Sequence, residues 1–134
     1  MQIFYFFMDK IKKKKILIIE DDSMINSIYK IKFEIDGFIA VIANNGAEGI
    51  EFAKKEKPDI IMLDVIMPQI DGFSVLEELK KNEQTKSIPI IMLTNLGAEE
   101  DMAKGKKLGA IDYLVKTSLT PKQINDKIKE YLNI

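Results

Sequence analysis

The sequence contains no cysteine and no histidine among its 134 residues. Without cysteine the chain can form no disulfide, and it offers no thiolate as a nucleophile or as a ligand for zinc or an iron–sulfur cluster. Without histidine it lacks the commonest general base and metal ligand. Any chemistry must therefore be done by carboxylates, hydroxyls, lysines and backbone groups.

Arginine is absent as well, so all 20 basic residues are lysines, which face 21 acidic residues for a formal net charge of −1. This balance gives no general reason to expect nucleic-acid binding, and phosphate recognition would lack the two-pronged guanidinium group. Apolar residues make up 46% and charged residues 31%, which is typical of a soluble globular protein. The length suits one domain that folds without a disulfide or a metal.

No stretch reaches the roughly 20 apolar residues that a transmembrane helix requires. Residues 1–8, MQIFYFFM, are apolar but have no basic residue before them and no cleavage site after them, so they make a poor signal peptide. With the lysine run at 12–15 they could form a short membrane-touching anchor. The alternatives are an extension, or an upstream start codon with the domain starting near Met8. We expect residues 1–14 to be a poorly ordered extension, residues 15–134 to be the domain, and the location to be cytoplasmic.

Apolar runs alternate with segments of helical periodicity. The runs, which predict strands buried on both faces, are residues 16–19, 38–43, 60–63, 90–93 and 111–115. The helical segments are residues 23–36, 47–55, 73–81, 99–108 and 120–132. Ile25, Ile28, Tyr29 and Phe33 share one stripe of the first helix, Gly37 suits its end, and Thr120 and Pro121 suit the start of the last helix. The alternation predicts an α/β domain with a parallel sheet covered by helices on both sides.

Polar residues follow four of the predicted strands where each strand ends. In an open parallel sheet the ligand site lies beyond the carboxyl ends of the strands. Asp59 instead begins the third strand, about 16 Å from the residue that ends it, so we expect it to have a structural role or none. The residues at the carboxyl ends are Glu20, Asp21 and Asp22 after the first strand, Asp64 after the third, Thr94 after the fourth and Lys116 after the fifth.

Carboxylates gathered at one edge repel each other unless a cation or a proton relieves them. A site built only from oxygen ligands selects a hard ion, with magnesium first and manganese or calcium behind it. An acidic cluster, a single acid, a hydroxyl and an ammonium together suit phosphoryl chemistry. The cation and the lysine would neutralise the transferring group, the hydroxyl would donate to it, and a carboxylate could be the nucleophile.

Four stretches of the chain resemble the receiver domain of bacterial two-component response regulators, of the stand-alone, chemotaxis-regulator-like kind. They are IIEDD at residues 18–22, PDIIMLDVIMPQIDG at 58–72, IIMLTN at 90–95 and DYLVK at 112–116. The resemblance runs from Lys15 to the C-terminus. It implies a flavodoxin-like (βα)5 doubly wound parallel sheet with strand order 2-1-3-4-5.

The resemblance also implies roles for individual residues. Asp64 would accept a phosphoryl group, and Thr94 and Lys116 would hold its oxygens. Asp21 would bind Mg²⁺ directly and Glu20 through water, with the backbone carbonyl of Ile66 completing the protein ligands and Mn²⁺ as a possible substitute. Tyr113 would be the aromatic residue that reorients when Thr94 moves.

The implied function is a phosphoryl-accepting signalling switch that catalyses only its own phosphorylation and dephosphorylation and is not otherwise an enzyme. The donor would be a sensor histidine kinase or a phosphotransfer protein. The implied output is a downstream protein target that binds the fourth strand, fourth helix and fifth strand, and phosphorylation could also drive dimerisation. We expect no direct contact with nucleic acid and no membrane span. Since no second domain follows Leu132, the domain either works through protein contacts or comes from a longer chain.

Three positions depart from the family pattern. Thr117 replaces a proline that usually follows the lysine in a cis bond, and a cis bond before threonine would cost about 3 kcal/mol, so a trans bond is a natural alternative. Asn95 replaces a small residue and could narrow access for the phosphodonor. Gln69 replaces a frequent glycine, and we expect the loop to tolerate it.

Three other functions compete with this interpretation. A haloacid dehalogenase-like phosphatase needs a second acid two residues after the nucleophile, where this chain has Ile66. A flavin carrier of the same fold needs a loop rich in glycine and hydroxyl groups after the first strand, whereas this chain has EDDSMIN. A degenerate receiver would only bind protein, but all five expected site positions are present here.

Overall fold

The computed structural model describes residues 2–3 and 13–134. The extension expected over residues 1–14 therefore lies mostly outside the described residues. The sheet begins at Lys15, which pairs with Ile39. Over the described part of the chain no helix has the length and apolar character needed to cross a membrane.

Five strands and five α-helices alternate along residues 13–134. The strands are β1 (Lys15–Ile19), β2 (Ile39–Ala43), β3 (Ile60–Leu63), β4 (Ile90–Thr94) and β5 (Asp112–Val115). The helices are α1 (Ser23–Ile35), α2 (Gly46–Glu56), α3 (Gly72–Lys81), α4 (Glu99–Lys107) and α5 (Pro121–Leu132), and a 3₁₀ turn spans Lys116–Ser118. Each predicted element is present within one residue of its expected bounds.

The sheet is parallel throughout, and its strand order is β2-β1-β3-β4-β5. Ile19 at the end of β1 pairs with Ala43 of β2 and with Leu63 of β3. Tyr29 and Phe33 of α1 pack with residues of α5 against one face of the sheet. Helices α2 and α3 pack against the other face. The predicted fold class and strand order are confirmed, and the carboxyl ends of β1 and β3 meet at the centre of one edge.

Local sequence explains where the helices begin and end. The Asp22 carboxylate caps α1 by accepting from the Met24 and Ile25 amides at 2.9 and 3.1 Å. Gly37 follows the end of α1 and has φ of +90°, a value that residues with a side chain rarely adopt. Helix α5 begins with a capping box in which Thr120 accepts from the Gln123 amide and donates its own amide to the Gln123 side chain.

The apolar stripe predicted on α1 is buried only in part. Ile28 does not belong to the buried stripe of α1, because its side chain is 49% exposed. The buried positions of that face are Asn26, Tyr29 and Phe33. The helix carries apolar residues on two sides, so periodicity alone could not decide which side packs against the sheet.

Candidate functional site

The loops that follow β1, β3, β4 and β5 bring the predicted polar residues to one open cleft. Glu20 continues the pairing of β1 by donating its amide to Ala43 at 3.1 Å, and Asp64 donates its amide to Ile19 at 3.0 Å. The cleft has a volume of about 350 Å³. It is lined by Glu20, Asp21, Asp22, Ile25, Asp64, Ile66, Thr94, Asn95 and Lys116. All the polar residues predicted at the carboxyl ends of the strands line this cleft.

Lys116 forms ion pairs with two acids of the cleft. Its Nζ lies 3.0 Å from Glu20 Oε1 and 3.1 Å from Asp64 Oδ2. Glu20 and Asp64 are both buried, with 4% and 8% of their surfaces exposed. In such a place an ion pair is screened far less than at an open surface. One ammonium therefore neutralises part of the charge of two carboxyl groups that come from different strands.

The pocket shifts the pKa values of the two buried acids, Glu20 and Asp64, in opposite directions. Burial raises the pKa of Glu20 to about 8, and the neighbouring Asp64 adds to the rise while Lys116 opposes it. Burial also acts to raise the pKa of Asp64, but the neighbouring Glu20 carboxyl and the charge of Lys116 outweigh it and lower that pKa. Burial acts to lower the pKa of Lys116, but Asp64 and Glu20 raise it overall. Of the two acids, the metal-free pocket therefore favours the protonated form at Glu20 and the ionised form at Asp64.

The donor set fits a hard cation. One carboxylate oxygen from each of Glu20, Asp21 and Asp64 lies within 4.8 Å of the others. Glu20 Oε2 is buried and has no hydrogen-bond partner. A buried carboxylate oxygen without a partner is costly, and a cation would satisfy it. Three carboxylates and no softer ligand suit Mg²⁺ or Mn²⁺.

Ile66 lies at the rim of the cleft with its side chain 58% exposed. Its amide donates to Asp64 Oδ1 at 3.4 Å, so the backbone at this position turns toward the acid. The use of its carbonyl as a metal ligand stays a prediction.

Thr94 of β4 and Tyr113 of β5 are both buried. Thr94 is fully buried, and Tyr113 is 3% exposed. The Tyr113 hydroxyl donates to the Leu96 carbonyl at 2.7 Å and so holds the β4–α4 loop. Burial, with contributions from Asp101 and Asp64, raises the pKa of Tyr113 to about 12. The reorientation of Tyr113 stays a prediction.

The loop after Asp64 returns close to its own start. A Cβ added to Gly72 would lie 2.0 Å from the Asp64 carbonyl oxygen, so only glycine fits there. Gln69, in the same loop, has φ of +70°, which explains why glycine is the favoured residue at such a position. The Lys116–Thr117 bond is trans, since the described chain contains no cis bond, and Thr117 lies in the 3₁₀ turn.

Asp59 lies at the opposite end of the sheet, as predicted. Its Oδ2 accepts from the Lys15 backbone amide at 2.7 Å. The contact holds the start of β1 against the start of β3. The expectation of a structural position away from the site agrees with this geometry.

Sequence reasoning missed Asn26. Its side chain is 3% exposed, and its Nδ2 donates to the main-chain carbonyl of Glu20 at 2.8 Å. A polar, weakly helix-forming residue within an apolar helix, six residues after the first acid, was the available signal. Hydrophobic periodicity selects the apolar residues of α1 and passes over the polar Asn26.

Comparisons with known proteins agree with this geometry. A family model described as the response regulator receiver domain matches residues 16–129. The chain is 38% identical over 120 residues to the "Probable transcriptional regulator ycf27" of Guillardia theta, covering 90% of this chain and 46% of that protein. It is 37% identical over 119 residues to the "Alkaline phosphatase synthesis transcriptional regulatory protein PhoP" of Bacillus subtilis, covering 89% and 48%. The chain thus spans about half the length of these curated relatives.

Among solved structures, the chemotaxis protein CheY4 of Vibrio cholerae superposes with a TM-score of 0.82 at 29% identity, covering 88% of this chain and 98% of that chain. A CheY-like receiver domain protein from Methanospirillum hungatei gives a TM-score of 0.84 at 29% identity, covering 91% and 95%. The family model covers nearly the whole sheet and the helices on both of its faces. The chain therefore belongs to the family of response regulator receiver domains.

Proposed function

We propose that the protein is a phosphoryl-accepting signalling switch whose acceptor is Asp64 and whose phosphorylation requires Mg²⁺. The observation that carries the proposal is the contact of Lys116 with two buried acids at one end of the sheet, at 3.0 and 3.1 Å. An ionised carboxylate beside an ammonium and a buried hydroxyl is equipped to attack a phosphorus atom. The same groups can then hold the oxygens of the transferred group.

The reaction follows from the chemistry of these groups. An oxygen of Asp64 attacks the phosphorus of a partner's phosphohistidine, the new P–O bond forms, and the P–N bond breaks with its electron pair returning to the imidazole. Asp64 is suited to attack because its pKa is lowered and it remains ionised at neutral pH. Lys116 and Thr94 would then bind phosphoryl oxygens. A Mg²⁺ ion held by Glu20, Asp21 and Asp64 would neutralise charge on the transferring group.

The partners follow from the family. A histidine kinase or phosphotransfer protein would supply the phosphoryl group, and a protein target would read the result on β4, α4 and β5. The buried Tyr113 of β5, whose hydroxyl holds the Leu96 carbonyl, connects this surface to the site. The chain would catalyse only its own phosphorylation and dephosphorylation, in the cytoplasm. The relatives are described as transcriptional regulators, and here we propose protein contacts and no direct contact with nucleic acid.

The geometry does not favour the two competing chemistries. A phosphatase with an aspartyl nucleophile would need an acid at Ile66, whose side chain is apolar and 58% exposed at the rim. A flavin carrier would need a phosphate-binding loop after β1. That loop instead holds Glu20 and Asp21, whose carboxylates would repel a phosphate.

The test is to treat the full chain with acetyl phosphate and Mg²⁺ and to locate the acyl phosphate by borohydride reduction and mass spectrometry. We expect modification at Asp64 and its loss in Asp64→Asn. Asp59→Asn is the matched control, because it makes the same change at the opposite end of β3. Label on Asp59 or Asp71, or undiminished labelling of Asp64→Asn, would refute the assignment.

A further inference from the structure

Two asparagines are buried in the described part of the protein, and they share an unusual bonding pattern. Asn26 on α1 is 3% exposed and Asn125 on α5 is 2% exposed. Each donates through Nδ2, and each has an Oδ1 that is buried with no hydrogen-bond partner. An amide oxygen buried without a partner destabilises the fold, and an apolar residue of similar size would avoid that cost. Stability of the fold therefore does not explain the presence of these two asparagines, so the role of each Nδ2 donor needs another explanation.

The Asn26 donor acts on the backbone of the candidate cation site. Its Nδ2 lies 2.8 Å from the carbonyl oxygen of Glu20, which belongs to the peptide unit between Glu20 and Asp21. The Glu20 amide is bound to the Ala43 carbonyl at 3.1 Å. Both backbone polar groups of Glu20 are therefore held, one by the sheet and one by Asn26.

The direction of that peptide unit decides where two carboxylates point. Glu20 turns into the protein and is 4% exposed, whereas the next residue, Asp21, is exposed at the cleft. Consecutive residues of a strand point to opposite faces, so two acids in a row can converge only where the strand ends and the chain turns. The backbone of this turn sets where the two acids start, and the Glu20 carbonyl is the point at which Asn26 holds that backbone.

We propose that Asn26 is a positioning residue of the cation site, which fixes the peptide between Glu20 and Asp21 so that both carboxylates converge with Asp64. The inference rests on the proposed function, because it takes these three acids as the Mg²⁺ ligands. Asn26 itself contacts neither the ion nor the phosphoryl group. It acts through the carbonyl that it holds.

Asn125 provides a matched control. Its Nδ2 donates to the carboxylate of Asp36, which follows the last residue of α1. This contact lies at the end of α1 away from the cleft, whereas Asn26 lies in the first turn of α1, next to the acidic loop. Replacement of either asparagine by leucine removes one donor and one buried oxygen without a partner. Only the change at position 26 removes the hydrogen bond to the Glu20 carbonyl.

The experiment measures the Mg²⁺ dissociation constant of the full chain by calorimetry, together with the urea midpoint, for the parent, Asn26→Leu and Asn125→Leu. Loss of a group that orients metal ligands typically weakens metal binding by about 10- to 100-fold. We expect a weakening of that size in Asn26→Leu and a change of less than about twofold in Asn125→Leu. Asn26→Ala, which removes the donor without adding bulk or charge, should resemble Asn26→Leu. Asn26→Gln, which keeps a donor, should recover part of the affinity.

A second measurement reports the metal-free state. The amide resonance of Asp21 should shift in Asn26→Leu and stay in place in Asn125→Leu. If Asn26→Leu fails to fold, the Ala and Gln variants decide by the same readouts. Parent-like Mg²⁺ affinity in the position 26 variants, or equal weakening in both leucine variants, would overturn the role of Asn26 and leave the proposed function standing. A parent chain that does not bind Mg²⁺ would overturn the cation site itself.

Discussion

At the scale of single residues, Lys116 faces more negative charge than it can balance. Its Nζ lies 3.0 Å from Glu20 and 3.1 Å from Asp64, and Asp21 contributes a third carboxylate nearby. The pKa of Glu20 is raised to about 8, so in the absence of a cation this pocket favours a protonated carboxyl, which relieves the excess. A bound cation would relieve it instead, and so proton and cation compete for the same pocket.

This competition predicts how Mg²⁺ binding depends on pH. Because the pKa of Glu20 lies near 8 in the metal-free protein and Mg²⁺ needs the ionised form, binding below pH 8 must release a proton. The affinity should rise by about tenfold for each pH unit between pH 6 and pH 7 and level off above pH 8. Calorimetry in buffers of different ionisation enthalpy counts the released proton. Glu20→Gln is the control, and its affinity should be nearly independent of pH over this range.

The same pKa gives the sign of the stability change in metal-free protein. The pKa of Glu20 is raised from 4.5, so the protonated carboxyl favours the folded state. Its contribution is fully present below pH 4.5 and is lost as the pH rises through 8. Mg²⁺ should therefore stabilise the fold more at pH 8 than at pH 6. Absence of proton release at pH 6.5 would contradict the assignment of Glu20 as the group that competes with the cation.

At the scale of elements, the ends of the helices follow directly from the sequence. Thr120 accepts from the Gln123 amide at 3.2 Å, and the Gln123 side chain accepts from the Thr120 amide at 2.9 Å. These bonds satisfy two backbone donors that the first turn of α5 would otherwise leave free. The start of α5 is thereby fixed shortly after the turn that carries Lys116.

We predict that Thr120→Ala lowers the free energy of unfolding by about 1 kcal/mol. The reason is the loss of the side-chain acceptor at the helix start. Urea denaturation followed by circular dichroism measures the change. Thr117→Ala is the control, because Thr117 is exposed and caps no α-helix, and it should change stability by less than about 0.5 kcal/mol. Equal losses in the two variants would show that the capping box contributes nothing.

The elements themselves were predictable because buried parallel strands and capped helices leave strong local patterns. The runs that end in Ile19, Leu63 and Leu93 are apolar throughout, as is typical of strands covered on both faces. The order of the strands in the sheet came from the resemblance. The buried side of α1 was less accessible to sequence reasoning, because Ile28 and Phe33 have equal apolar character and only packing separates them.

The candidate site was predictable to the extent that its groups end strands. Glu20, Asp64 and Lys116 could be collected from topology alone, since carboxyl ends meet at one edge. The raised pKa of Glu20 could not be predicted, because it depends on burial and on distances that no sequence pattern encodes. The same holds for Asn26, whose bond to the Glu20 carbonyl depends on how α1 turns back over the loop.

At the scale of the whole molecule, the lifetime of the phosphorylated state depends on what surrounds the phosphoryl group. Water must be oriented for attack on an aspartyl phosphate, and polar side chains do this best. Ile66 lines the cleft with an apolar side chain. Leu96, two residues after Thr94, is half-buried and packs against the core. Neither side chain can bind the attacking water.

We therefore predict a phosphorylated state that outlasts seconds, suited to sustained signalling. Ile66→Asn together with Leu96→Glu should speed the loss of phosphate by at least about tenfold. The decay of labelled protein after removal of the donor measures this rate. Ile111→Asn is the control, since Ile111 is also exposed but lies at the opposite end of β5, and its decay should match that of the parent. Loss within seconds in the parent, or slower loss in the double variant, would show that these two residues do not set the rate.

The ion pairs of Lys116 span much of the chain, 96 residues to Glu20 and 52 residues to Asp64. During synthesis the acids therefore leave the ribosome long before their lysine does. On the proposed function, a nascent chain that has exposed β1 to β3 would have the acceptor but not the group that would hold the transferred phosphate. Competence to receive a phosphoryl group would then arise late in translation, when β5 adds to the edge of the sheet, and a product truncated before residue 116 would lack the Lys116 contact with both acids.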